Sequence, residues 1–260
     1  MAIRKILLPL TGTNPSEEAL ATALMIANRW SAHVVALHIR RDSSDRADAV
    51  RSLFEQLVTR QNVPVQETYA GSGHASASFT VVTGREADVV AQQARLADLT
   101  VVPHPDAGDD VSSDALHAVL FDSGRPVLIS PQIEPTSIGT RVCLAWNGTA
   151  ESAESALSAM PWMRTAEAIR ILSAEGYQRH GPGAPELAAY LALHGINADI
   201  EMFHPVRNSV GTGLLRAARL FGCDLLSMGA YSHSRLRQLI LGGVTQYVLE
   251  NSTLPVMMTR

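Results

Sequence analysis

The residues best placed to do chemistry form a loop of small and polar side chains near the C-terminus. The apolar run Leu225 to Met228 predicts a buried strand that ends at Gly229. The apolar spacing from Leu236 to Val248 predicts that a helix follows the loop. In such a loop, unpaired backbone N–H groups and the positive end of the helix dipole both point at a bound anion. The stretch therefore predicts a phosphate-binding site.

Glycine in such a loop leaves backbone N–H groups accessible to an anion. His233 fits a phosphate contact, a protonated and therefore pH-sensitive contact, or a solvated loop histidine. The corresponding segment of the first half, Pro103 to Asp110, contains prolines and three aspartates that would repel phosphate. We therefore expect one anion site, in the second half of the chain.

The composition excludes several function classes. The net charge of −4 provides no basic field for nucleic acid or anionic lipid, so neither partner is expected. The chain shows no signal segment and no apolar stretch of about 20 residues, which predicts a cytoplasmic protein without a membrane span. Lys5 is the only lysine, and the Gly-x-x-x-x-Gly-Lys-Ser/Thr pattern of P-loop enzymes is missing.

Helices are predicted to alternate with strands that are apolar throughout, a pattern typical of an α/β fold with a parallel sheet covered on both faces. The pattern runs twice. The predicted elements include a strand at Leu99 to Val102, a helix from about Glu151 to Arg164 and a helix from Ser209 to Phe221. Gly12-Thr13 matches Gly148-Thr149, and Asp98-Leu-Thr-Val matches Asp224-Leu-Leu-Ser, in the same order and at similar spacing. A length of 260 residues suits two domains. We predict domains at residues 1–132 and 138–260, joined by a linker rich in proline and polar residues.

The spacing of Gly229, Ser232 and Gly242-Gly243 resembles the nucleotide loop of the universal stress protein family, Gly-x-x-Gly, nine residues, then Gly-Ser/Thr. With the repeated strand openings, the resemblance covers essentially the whole chain. It implies two flavodoxin-like or Rossmann-like doubly wound domains, each with a five-stranded parallel sheet of strand order 3-2-1-4-5. It also implies that an adenine nucleotide binds beyond the carboxyl ends of the first and fourth strands. By the same resemblance, the residues at the phosphate-loop positions are Gly229, Ser232, His233, Gly242, Gly243, Val244 and Thr245.

Three positions depart from the family pattern. Ser232 replaces the second glycine of the loop, and Gly243 replaces the hydroxyl residue that touches phosphate. The family's aspartate after the first strand corresponds to Asn147 in the second half and to Thr11 in the first. Asn147 can still donate and accept hydrogen bonds, and Asn147-Gly148 reads equally as a ligand contact or as a left-handed turn.

These features predict a stress-response or regulatory protein that binds ATP or another adenine nucleotide, with Mg²⁺ as an optional companion, in its C-terminal domain. The alternatives are an interaction module of the same fold that binds no nucleotide, and an adenine-nucleotide α-hydrolase-type enzyme. We assign no catalytic residue and no metal site, and expect at most slow ATP hydrolysis.

The sequence also predicts how the two halves of the chain assemble. The apolar last strands, Pro126 to Ile129 and Pro255 to Met258, would be exposed edges unless they pair. We predict that the two halves pack as an intramolecular pseudo-dimer, with an unknown protein partner and a homodimer of whole chains as further options.

Overall fold

The computed structural model describes residues 2–10, 16–40, 47–67, 73–105, 110–231 and 243–260, with the backbone alone for 110–113. The chain folds into two compact units, Ala2–Glu134 and Pro135–Arg260. No helix in these ranges is long and apolar enough to cross a membrane.

The first unit alternates strands and helices. Its parallel strands lie in the order β3-β2-β1-β4-β5, and the residues of the central strand β1, such as Ile6 and Leu8, are fully buried. The elements are β1 Lys5–Leu10, α1 Glu17–Trp30, β2 His33–Arg40, α2 Ala47–Arg60, β3 Ser76–Thr83, α3 Glu86–Ala94, β4 Leu99–Val102, α4 Asp110–Asp122 and β5 Val127–Ile129.

The second unit repeats this arrangement, with parallel strands in the order β8-β7-β6-β9-β10. Its elements are β6 Arg141–Ala145, α5 Ala150–Ser158, α6 Met160–Met163, β7 Ala168–Ala174, α7 Ala184–Leu193, β8 Asp199–Phe203, α8 Val210–Phe221, β9 Leu225–Gly229, α9 Gly243–Asn251 and β10 Val256–Thr259. Each unit therefore has strand order 3-2-1-4-5, which confirms the predicted α/β class and sheet order. The pseudo-dimer stays a prediction.

An aspartate at the start of the fourth strand fixes the first strand in both units. The Asp98 carboxylate accepts hydrogen bonds from the backbone N–H groups of Arg4 (2.8 Å) and Lys5 (3.0 Å). Asp224 accepts from Thr140 (3.1 Å) and Arg141 (2.8 Å) in the same way. The two aspartates that suggested an internal repeat therefore make equivalent hydrogen bonds to the start of the first strand in both units.

The helix after β6 differs from the sequence prediction. A continuous helix was expected from Glu151 to Arg164, but α5 ends at Ser158 and a short helix, α6, begins at Met160. Pro161 lies in the first turn of α6, where its missing N–H costs no hydrogen bond, whereas in a continuous helix it would remove one. The break leaves Trp162 fully buried.

Candidate functional site

A cavity of about 480 Å³ lies at the carboxyl ends of the strands of the second unit. Four strands and the starts of three helices contribute to its walls, which is where the crevice rule for doubly wound sheets places ligands. The described lining residues are Ala145, Trp146, Asn147, Thr149, Ser152, Leu172, Ala174, Tyr177, Arg179, Phe203, Asn208, Ser209, Val210, Gly211, Leu214, Met228, Gly229, Gly243, Val244 and Thr245.

Five of the predicted site residues line this one cavity, namely Asn147, Gly229, Gly243, Val244 and Thr245. Gly148 lies between two lining residues and shapes the turn after β6. Ser232, His233 and Gly242 lie outside the described residues, as does Thr11.

The turn after β6 is both a left-handed turn and a wall of the cavity. Gly148 has a φ of +81°, the region that favours glycine. The Asn147 side chain closes the turn, because its Oδ1 accepts from the Thr149 N–H (3.2 Å) and from the Thr149 hydroxyl (3.0 Å). Thr149 in turn caps α5, since its Oγ1 accepts from the Ser152 N–H (3.3 Å). The left-handed turn predicted for Asn147-Gly148 is therefore present, and the ligand contact stays a prediction.

Gly229, at the end of β9, packs tightly against the start of α5. A Cβ atom added to Gly229 would lie 2.6 Å from the Glu151 carbonyl carbon and 2.7 Å from the Ser152 nitrogen. The glycine is therefore required for packing. Two residues later, Tyr231 has a φ of +58°, and burial raises the pKa of its phenol to about 12. A bulky residue in the left-handed region is uncommon and marks a constrained backbone beside the cavity.

Gly243 is the first residue of α9 and differs from Gly229. It is exposed, and an added Cβ would meet no atom within 4 Å. Thr245, one turn into the helix, is buried. Gly243, Val244 and Thr245 line the cavity at the described start of α9, and among the described residues position 243 has room for a side chain.

Three helices direct their N-terminal ends to the cavity. They are α5, which begins after Thr149, α8, which begins after Ser209, and α9. The Ser209 hydroxyl accepts from the Thr212 N–H (3.2 Å) and leaves the earlier N–H groups of α8 without an intrahelical partner. Among the described lining residues Arg179 is the one charged side chain, and none is a carboxylate. Helix dipoles and charge together favour an anionic ligand.

One wall was not predicted from the sequence. It consists of the ends of β7 and β8 with the loops that follow, and it contributes Tyr177, Arg179, Phe203 and Ser209. The loop between β7 and α7, residues 175–183, is the main part, and we call it the strap. The crevice rule applied to β7 and β8 would have indicated this region, but the residues themselves carry no motif.

The strap is pinned to the turn after β6. The Arg179 N–H donates to the Asn147 carbonyl oxygen (2.9 Å), and the Trp146 indole N–H donates to the Pro182 carbonyl oxygen (2.9 Å). Gly181 packs directly on Gly148, because a Cβ at position 181 would collide with the Gly148 carbonyl oxygen. A Cβ at position 148 would lie a tight 3.0 Å from the Pro182 carbonyl oxygen. These contacts hold Arg179 at the edge of the cavity.

No group of three or more His, Cys, Asp or Glu side chains that could hold a metal ion occurs in the part of the chain that the structure describes. The described lining residues likewise include no His, Cys, Asp or Glu.

Comparison with known proteins gives one family and several similar folds. A sequence model described as the universal stress protein family matches residues 2–109 and 141–260. No curated protein matches significantly.

Two solved structures align with nearly the whole chain. One is a universal stress protein from Archaeoglobus fulgidus DSM 4304, with a TM-score of 0.70, 16% identity, and coverage of 98% of each chain. The other is a protein of unknown function from Pseudomonas aeruginosa PAO1, with a TM-score of 0.64, 18% identity, and coverage of 99% of this chain and 92% of the other. At these identities the structures show a shared fold.

Proposed function

The chain belongs to the universal stress protein family, and from this premise we propose that it is a stress-response or regulatory protein whose C-terminal unit binds an adenine nucleotide of the ATP type. The observation that carries the proposal is the cavity bordered by the N-terminal ends of α5, α8 and α9, with no carboxylate among its described lining residues.

A nucleotide fits this cavity in shape and in chemistry. Its apolar wall includes Leu172, Phe203, Val210 and Leu214, which suit a base and ribose, while the helix starts suit phosphate. A volume of about 480 Å³ lies within the range of cavities that hold small ligands. Phosphate at the start of α9 would lie beside Gly243, Val244 and Thr245, and Ser232, His233 and Gly242 complete the proposed site.

The function proposed for this cavity is ligand binding without a chemical reaction. A cavity rich in backbone donors binds phosphate in its ground state, whereas hydrolysis requires a group that activates water. We propose one nucleotide per chain, in the unit comprising Pro135–Arg260, with residues 1–132 and 138–260 as the two domains and the first retaining no complete loop. Mg²⁺, where it accompanies ATP, would be held through the phosphates.

Isothermal titration calorimetry of the full chain with ATP, ADP, AMP and cyclic AMP tests the proposal. We expect saturable binding of at least one of them, with a stoichiometry of one. Thermal stability should rise with ligand concentration, because a ligand that binds only the folded state stabilises it. No heat and no thermal shift at millimolar ligand would instead support a protein-interaction module, and a stoichiometry of two would contradict the assignment to one unit.

A further inference from the structure

Two glycines near the start of α8 allow other elements to approach this helix closely. A Cβ atom added to Gly211 would lie 2.7 Å from the Cδ1 atom and 2.8 Å from the Cβ atom of Tyr247, which lies on α9. A Cβ atom added to Gly213 would lie 2.7 Å from the carbonyl oxygen of His204, just after β8. Neither position accepts a side chain unless its neighbours shift, so both contacts depend on glycine.

The two glycines face different sides of α8. Residues two apart in an α-helix point about 200° apart, so Gly211 faces α9 while Gly213 faces the end of β8. The contact at Gly213 is with a backbone oxygen, which cannot rotate away as a side chain could. The first turns of α8 therefore have no space to move towards β8, and the contact at Gly211 fixes the position of α9 relative to α8.

The contact with Gly211 holds the part of α9 that lines the cavity. Tyr247 follows Gly243 by four residues, so both lie on the same face of α9. The cavity is lined by Gly243, Val244 and Thr245 on α9 and by Gly211 on α8. The Cβ atom of Tyr247 is bonded directly to the helix backbone, so rotation of the ring cannot relieve a collision with it. A side chain at position 211 would therefore displace α9 and the wall that it forms.

The two helices contribute different chemistry to the cavity. The start of α8 supplies Val210 and Leu214, apolar side chains that suit a base. The described start of α9 supplies Gly243 and Thr245, which belong to the segment proposed to bind phosphate. A nucleotide joins an apolar ring system to an anionic chain, so it contacts both helices only if their spacing matches its length.

Resting on the proposed nucleotide function, we infer that the contact between Gly211 and Tyr247 is a specificity element, which sets the distance between the base wall on α8 and the phosphate wall on α9. Gly211 and Tyr247 are positioning residues that act through α9. The contact makes the cavity select a nucleotide with its 5′-phosphates over the nucleoside, because the phosphates reach α9 only at this spacing.

Calorimetry of the full chain with ATP and adenosine tests the inference, with adenosine measured by its competition with ATP. The measured quantity is the ratio of the two affinities, and the unmodified protein should bind ATP more tightly. Gly211→Ala should lower this ratio by about tenfold or more, the scale of one lost hydrogen bond to a charged group, because α9 is displaced. The affinity for adenosine should change less, since α8 keeps its place against β8.

Gly222→Ala is the matched control, because Gly222 ends the same helix with a φ of +71° and is not among the described lining residues. It should destabilise the protein, as Gly211→Ala does, and leave the affinity ratio unchanged. The double variant Gly211→Ala with Tyr247→Gly moves the glycine to the opposite helix. In this variant α9 can approach α8 again, so most of the ratio should return, and the inference stays testable if Gly211→Ala alone does not fold.

Different results bear on the inference and on the proposed function. Equal binding of ATP and adenosine by the unmodified protein, or an unchanged ratio in Gly211→Ala, overturns the inference and leaves the adenine-nucleotide site standing. An equal fall in Gly222→Ala, or no recovery in the double variant, also overturns it, because the loss would then not depend on the contact with Tyr247. Failure of every adenine nucleotide to bind the unmodified protein overturns both. Circular dichroism and thermal unfolding show which variants are folded.

Discussion

The α-carbon of Gly181 packs so closely on the carbonyl oxygen of Gly148 that a Cβ atom at position 181 would collide with that oxygen. Both atoms belong to the backbone, so neither can rotate away as a side chain could. The strap and the turn after β6 can therefore lie together only while position 181 is glycine.

We predict that Gly181→Ala lowers the free energy of unfolding by about 1 to 3 kcal/mol, the usual cost of overpacking a close contact. Urea denaturation measures the change. Gly243→Ala is the matched control, because its Cβ enters open space at the start of α9. An equally small effect of both substitutions would show that the strap moves away from the turn at little cost.

Gly243→Ser should strengthen nucleotide binding by several-fold. The substitution adds a hydroxyl at the first residue of α9, beside the N–H groups proposed to bind phosphate, and the site has room for it. Calorimetry with ATP measures the change, and Gly243→Ala separates the hydroxyl from the added carbon. If the serine and alanine variants bind ATP equally well, the phosphate does not lie at the start of α9.

Removing the aspartate that fixes the first strand should destabilise either unit. Asp98→Ala and Asp224→Ala each leave two backbone N–H groups without their carboxylate acceptor, and we expect a loss of about 1 to 3 kcal/mol per substitution.

Chemical denaturation with a probe in each unit measures this loss. Asp88→Ala is the control, since Asp88 makes an exposed pair with Arg85 on the surface of α3 and its loss should have little effect. A large effect of Asp88→Ala, or none of Asp224→Ala, would contradict the assigned role.

The first unit should lose stability as the pH falls below neutrality. His33 is buried, and its two ring nitrogens lie 2.8 Å from the Ser76 hydroxyl and 3.0 Å from the Ser78 hydroxyl. Burial, and to a lesser extent Lys5, lower the pKa of His33 below its ordinary value of 6.5. Burial lowers the pKa of His117 as well.

The direction of the effect follows from proton binding. Between the lowered folded pKa and 6.5, the unfolded chain binds more protons than the folded one, so stability is complete above 6.5 and declines below it. Urea denaturation at about pH 7.5 and about pH 5.5 should show the decline, and His33→Gln should reduce it without abolishing it, because His117 remains. An unchanged pH dependence in His33→Gln would show that His33 does not carry this effect.

The strands were predictable because continuous apolar runs are local signals. The run Leu99 to Val102 was predicted as a strand and is β4 in the structure. Ser209, predicted at the start of a helix, caps α8, and Gly211 and Gly213 lie within that helix. Boundaries were less predictable, as the break at Pro161 shows, because a proline is compatible with both a helix start and a loop.

The site was predictable only in part, because a motif describes one segment of chain whereas a cavity joins several. The glycine spacing after Gly229 indicated Gly243, Val244 and Thr245, which line the cavity. The apolar spacing from Leu236 to Val248 predicted a helix, and the part of it that the structure describes begins at Gly243. Nothing in the neighbouring residues indicates that Gly229 meets Glu151 and Ser152, or that Arg179 meets Asn147, since these contacts depend on which strands are neighbours in the sheet. The polar residues of the strap have no characteristic spacing in the sequence, so their place in the wall of the cavity is known only from the structure.

The order in which the walls of the cavity occur along the chain has a consequence for synthesis. All strands of the unit Ala2–Glu134 precede those of the second unit, so this unit can form its own core while the second unit is still being made. The cavity needs Asn147 at one end and Thr245 at the other, and so it closes only when almost all of the chain has been made. A nascent chain therefore completes the cavity, the proposed nucleotide site, only near the end of translation.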